Sequence, residues 1–172
     1  MDIDDFYKQF KKLPLGLKNN NPGNLRSSKC QWNGKIGSKN GFCQFSDFKY
    51  GVRAMCFVLC KYIFSYHLFQ IYDICNRYAP QCDGNDPKKY TDFVMDKCGF
   101  SAMSFNIPTL NIQFPLLVYA MMCIELGDEF RIKSREFQGF TSYLFALVDH
   151  YFHEYLNNVY YPVYGKITNI CV

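Results

Sequence analysis

Long apolar runs, paired cysteine motifs and basic stripes are all missing from this chain. Its longest apolar runs, around residues 57–64 and 116–124, are too short to span a bilayer. The nine cysteines, at 30, 43, 56, 60, 75, 82, 98, 123 and 171, form no CxxC pair and no zinc-ribbon spacing. Their odd number, and the apolar settings of Cys56 and Cys123, point to free thiols made in a reducing cytoplasm rather than to a disulfide scaffold. The opening Met1-Asp2-Ile3-Asp4-Asp5 is acidic and has neither the charged nor the apolar region of a signal peptide. The expectation is synthesis in the cytoplasm, with any action outside the cell depending on another export route. No internal repeat and no low-complexity linker is visible, and Trp32 is the only tryptophan.

What is present suits one domain with a substantial core. The chain has 172 residues, of which 49% are hydrophobic, and this excludes a disordered polymer. Aromatics reach 19%, with 17 Phe and 14 Tyr, enough to line a groove as well as to fill a core. A net charge of +4 suits an anionic wall polymer or a nucleic acid and demands neither. The basic residues are scattered and no RNP-like motif occurs, which argues against nucleic acid.

Periodicity predicts a mainly helical chain with a small hairpin. A short helix is expected over residues 2–12, stopped by Pro14. Strands over 35–37 and 41–45 flank an Asn40-Gly41 turn signal. Further helices are expected from Ser46 or Asp47 to about Ser65, over 69–78, from Pro87 to Gly99, from Pro115 to Leu126, and from about Ser134 to Asn157 with Gly139 denting its start. The tail from Tyr160 to Val172 alternates and is expected to be extended.

Between the first helix and the hairpin lies Asn19-Asn20-Asn21-Pro22-Gly23-Asn24-Leu25-Arg26. Pro-Gly sets a tight turn, and the amides and guanidinium offer many donors and acceptors. Such a turn either satisfies its own backbone or holds a polar ligand, with sugars and peptides first.

Asn20-Asn21-Pro22-Gly23-Asn24-Leu25-Arg26, then Trp32-Asn33-Gly34, Phe42 and Phe45, then Tyr50-Gly51-Val52-Arg53-Ala54-Met55 follow in order. This series resembles a phage and prophage family of virion structural proteins that carry NNPGN(I/L)R, WxG, FxxF and YG(I/V)RAM segments. Arg77-Tyr78-Ala79-Pro80 with Asp83, Asn85 and Tyr90 resembles the family's RWAPP, acidic/Asn and Tyr segment. Ala120–Gly127 resembles its AIIxHENG segment, with Ile124 and Leu126 where the family has His and Asn. The family is in turn similar to lysozyme-type peptidoglycan hydrolases, with the Asn-rich and Glu-Gly segments in permuted order. The resemblance implies a single lysozyme-like domain over residues 1–172 and cleavage of the β-1,4 glycan backbone by a muramidase or lytic transglycosylase. A virion, prophage or secretion machine would deliver it to the bacterial wall, and an antibacterial effector of this kind would need an immunity partner. A non-enzymatic virion or injection-apparatus protein that binds glycan or neighbouring subunits is the alternative.

Glu125 ends an apolar helix, where burial raises the pKa of a carboxyl group, as a general acid requires. The other reading is a solvated Glu or one paired with Arg. Asn20, Asn21, Asn24 and Arg26 would bind sugar hydroxyls, N-acetyl groups or stem peptide. Trp32, Tyr50 and Tyr78 would stack on sugar faces or pack in the core. Arg53 would hold the loop or form a salt bridge, and Asp83 and Asn85 would complete the groove. His150, His153 and Glu154 share a helix face, but not in HExxH order and without a further ligand. No metal and no cofactor is expected.

Overall fold

The computed structural model describes residues 1–98 and 110–164. Among these the chain is mainly helical with one two-stranded antiparallel sheet, as its periodicity predicts. Helix α1 (Ile3–Tyr7) is capped by the Asp2 carboxylate and is shorter than expected. Pro14 lies seven residues beyond its end and does not set that end. A single turn, α2 (Leu15–Lys18), then drops Leu17 into the core; the sequence reading had no element at this place.

Strands β1 (Lys35–Lys39) and β2 (Phe42–Phe45) form the expected hairpin across Asn40 and Gly41, both at positive φ. Helix α3 (Phe48–Cys60) is N-capped by Asp47 and runs directly into a π-helical turn, Lys61–Ser65. Helix α4 (Ile71–Tyr78) and a 3₁₀ turn (Gln81–Asp83) follow, then α5 (Pro87–Cys98). The expected end of α5 at Gly99 lies outside the described residues.

Helix α6 (Leu110–Leu126) is the centre of the molecule. Leu117, Val118, Ala120, Met121 and Met122 are fully buried, and apolar side chains surround the helix on every side. Pro115 does not open this helix but lies inside it. The preceding turn stays helical because it carries Leu110 and Phe114 into the core, and this outweighs the lost hydrogen bond at Pro115.

Gly127, at φ 85°, breaks the chain between α6 and α7 (Asp128–Glu136). The expected long last helix is thus two helices, α7 and α8 (Phe140–Tyr155), separated by Gly139 at φ 84°. Helix α7 escapes periodicity because it buries only Phe130 and Ser134. Charge supports it instead, with Asp128 and Glu129 in the first turn and Lys133 and Arg135 in the last. Helix α8 continues through a π-helical turn (Leu156–Tyr160) into α9 (Tyr161–Tyr164). The described part of the tail is therefore helical, not extended; the remainder lies outside the described residues.

One core cluster joins α1, α3, α4, α6 and α8. Its aromatic centre is Phe6, which stacks on Phe140 at 4.0 Å and meets Phe130 edge-on at 6.0 Å. A smaller cluster under the hairpin gathers Cys43, Phe45 and Ala54, with Leu25, Trp32 and Tyr50 against them. The cysteines at 30, 43, 56, 60, 75, 82 and 123 are free. Among the described residues no helix is long and apolar enough to cross a membrane.

Candidate active site

The Asn-rich segment is first a piece of architecture. Asn20 and Asn24 adopt left-handed backbone, at φ 49° and 46°, a conformation Asn tolerates better than most residues. The fully buried Asn21 side chain donates to the carbonyls of Leu25 and Cys43 at 3.0 Å each and accepts from the Leu25 N–H at 2.9 Å. Asn20 donates to the Phe45 carbonyl and accepts from the Tyr7 hydroxyl. Residues 19–27 are thereby sewn along β2, with backbone bonds from Phe45 N to Asn19 O and from Cys43 N to Leu25 O, both 2.9 Å.

The same segment presses on α3. A Cβ on Gly51 would overlap the Asn20 carbonyl, and one on Gly23 would meet the Tyr78 hydroxyl and the Met55 sulfur. Glycine at both positions lets the loop lie directly on the helix. The Tyr78 hydroxyl donates to the Gly23 carbonyl and ties the loop to α4 as well.

A cavity of about 580 Å³ opens between this loop, the hairpin, α3 and the α4–α5 connection. Its lining includes Asn24, Arg26, Trp32, Tyr78, Asp83, Asn85 and Glu125, brought together from four separate stretches of chain. Glu125 stands in the last turn of α6. One carboxylate oxygen accepts from the Tyr90 hydroxyl at 3.1 Å, and the other from the Asn24 amide at 3.0 Å. The Asn24 amide also caps the Glu125 carbonyl at 2.9 Å, relieving an otherwise unpaired helix-end acceptor.

Burial raises the Glu125 pKa, and the hydrogen bonds from Asn24 and Tyr90 oppose this without cancelling it. Among the described residues no arginine or lysine pairs with Glu125. The Tyr78 and Tyr90 hydroxyls are held well above their ordinary range by burial and by the nearby Glu125 charge, so both remain proton donors.

The other wall carries Asp83, among the described residues the only other carboxylate in the lining, 3.4 Å from the Arg26 guanidinium. Asn85 donates to the Pro80 carbonyl at 3.3 Å and stiffens that turn. The remaining expected site residues lie elsewhere. Asn20 and Asn21 are consumed by the backbone, as above. Tyr50 packs over Gly34 beside Trp32 and is not in the lining. Arg53 is not in the lining; it forms a two-pronged pair with Glu154 on α8 and lies 4.1 Å from the Phe57 ring centre. That pair engages Glu154, while His153 lies 3.5 Å from Asp149. Among the described residues no cluster of three or more His, Cys, Asp or Glu could hold a metal.

Tyr90 and Lys61 are functional candidates to which the sequence reading gave no role. Tyr90 stands in a motif segment, but its partner is 35 residues away and no local pattern reveals the contact. Arg77 lies over the tyrosine rings of the π-helical turn.

No family model matches the chain. Over 128 residues it is 31% identical to Protein P5 of Pseudoalteromonas phage PM2, an alignment that spans 72% of this chain and 78% of the relative.

Proposed function

The chain belongs to the family of Protein P5 of Pseudoalteromonas phage PM2, and on that premise we propose that it is a phage-associated glycosidase that cuts the β-1,4 backbone of peptidoglycan. The observation that carries this reading is a carboxyl group with a raised pKa, paired with no cation among the described residues, in a cavity lined by amides and aromatics. Amides match sugar hydroxyls and N-acetyl groups, and aromatic faces match sugar rings.

Glu125 is the general acid. It gives its proton to the glycosidic oxygen as the C1–O bond breaks, while the sugar passes through an oxocarbenium-like state. Asn24 and Tyr90 hold the carboxyl group in place and stabilise the carboxylate left behind. Asp83, the other carboxylate among the described lining residues, is paired with Arg26, which favours a route needing one acid. In that route the C6 hydroxyl of the muramyl residue attacks C1 and returns its proton to Glu125. The product is a 1,6-anhydro sugar, so the protein acts as a lytic transglycosylase. Delivery by a virion, a lysis event or a secretion machine brings it to the wall.

A second reading rests on the same hydrogen bonds. Both oxygens of Glu125 and its backbone carbonyl are engaged, so the residue also serves to anchor the Asn-rich loop on α6. A non-enzymatic virion component would need nothing more. Purified protein incubated with peptidoglycan, with released fragments identified by mass spectrometry, separates the two. Anhydro-muropeptides support the transglycosylase and reducing ends support hydrolysis. No release from several wall types leaves the structural reading.

A further inference from the structure

One end of the cavity has a different chemistry from the rest. Lys61, Tyr62 and Tyr66 reach it from the π-helical turn after α3, and Arg77 reaches it from α4. The π-helical backbone, with the Tyr66 N–H bonded to the Lys61 carbonyl at 3.1 Å, brings residues 61, 62 and 66 to one side. The Tyr62 and Tyr66 rings stack with centres 6.0 Å apart. The Arg77 guanidinium carbon lies 4.2 Å from the Tyr66 ring centre and 5.3 Å from that of Tyr62, and the Lys61 ammonium lies 5.5 Å from that of Tyr66.

Two cations therefore share one aromatic platform. Among the described residues neither has a carboxylate within ion-pair distance, in contrast to Arg26 and Arg53. Like charges gathered without a counter-charge repel each other, and an anion between them removes that cost. A guanidinium has five N–H donors, so one held against tyrosine rings retains donors for a charge-assisted grip on a carboxylate. The Tyr66 hydroxyl has its pKa lowered, chiefly by hydrogen bonding from Lys61 and then by the Lys61 charge and by Arg77.

We propose that Lys61 and Arg77, held on Tyr62 and Tyr66, form an anion subsite that recognises a stem-peptide carboxylate of the bound wall strand. The proposal rests on the reading of the cavity as a glycan groove. The sugar rings of peptidoglycan are neutral, so charge at the groove end selects for the peptide-bearing muramyl residue and sets the register of the strand over Glu125.

The test is co-sedimentation of the Glu125→Gln protein with wall sacculi, intact or with their stem carboxylates converted to amides by carbodiimide and ammonia. Binding to amidated sacculi is expected to be roughly tenfold weaker, a typical size for one charge-assisted contact. Lys61→Gln and Arg77→Gln, each added to Glu125→Gln, are expected to abolish the preference. Lys18→Gln, which removes the same charge outside the cavity, is expected to keep it. Lys61 is exposed, so its variant carries the test should the Arg77 change disturb α4. Equal binding of both sacculi overturns the subsite, and if the wild type still releases wall fragments the glycosidase reading stands. Binding that needs Lys61 and Arg77, survives amidation and vanishes when wall phosphates are stripped by hydrofluoric acid overturns the carboxylate assignment. Absence of binding to either form overturns both the subsite and the groove. Preference without any fragment release supports the subsite on a binding protein.

Discussion

At the scale of single residues, Glu125 carries the most consequence. Its replacement by Gln keeps the shape and removes the proton, so release of wall fragments is expected to fall by roughly 10²–10⁴-fold with the fold intact. Mass spectrometry of the products beside circular dichroism of the variant checks both halves. Tyr90→Phe acts in a different way. The lost hydrogen bond had favoured the charged carboxylate, so the Glu125 pKa moves further up. An acid protonated over a wider range extends activity to higher pH. The alkaline limb of the rate–pH profile is expected to shift upward, and a downward shift would contradict the assigned role. Stability carries the same sign. A folded-state pKa above the unfolded one gives stability that is complete below the ordinary glutamate value of about 4.3 and is lost as pH rises through the folded-state pKa. The melting-temperature advantage of Glu125→Gln over the wild type is therefore expected to grow with pH across that window. Motif order led to Glu125 and to Asn24, because both sit in short segments of unusual composition. It could not separate Asn24 from Asn20 and Asn21. All three are amides in one turn, and only tertiary contacts send two of them to the backbone and one to the carboxyl group.

At the scale of elements, the Asn-rich loop and α3 behave as one unit joined at Gly51. A methyl group there has nowhere to go, since the obstacle is backbone. Gly51→Ala is expected to cost about 3 kcal/mol, at the upper end for overpacking, as read by urea denaturation. The Arg53–Glu154 pair joins α3 to α8, with side chains 15% and 24% exposed. Arg53→Ala leaves Glu154 without its partner and is expected to cost about 2 kcal/mol. Because Arg53 lies outside the cavity lining, fragment release below the melting transition should change little. The helices with strong apolar periodicity, α3 and α4, were legible within a few residues, as was the hairpin with its Asn-Gly turn. Those that failed did so for identifiable reasons. Helix α7 buries too little to show a stripe. Gly139 was read as a dent where it is a break, since a left-handed residue ends a helix more readily than it bends one. Pro115 was read as a start because the burial that holds the turn before it comes from other parts of the chain.

At the scale of the whole molecule, the cavity exists because two bodies of structure meet over α6. The loop and hairpin form one side, and the end of α3 with α4 and the turn after it forms the other. A ligand that touches both sides should hold them together. Neutral N-acetylglucosamine oligomers at about 100 times their dissociation constant are expected to add about 2.7 kcal/mol to stability. For a chain of this length that is a rise of roughly 5–10 °C in melting temperature, measurable by calorimetry. A flat response would remove sugars from the cavity.

The Arg26–Asp83 contact links those two sides at the surface, with side chains 69% and 37% exposed. An ion pair this exposed contributes little, about 0–1 kcal/mol, and salt weakens it further. The rim of the cavity is therefore tied at this point by a contact that ionic strength loosens, while the buried bonds of Asn24 and Tyr90 to Glu125 hold its floor. Asp83→Asn is expected to leave the melting temperature nearly unchanged, as read by calorimetry, so the two sides are joined firmly below and only loosely above.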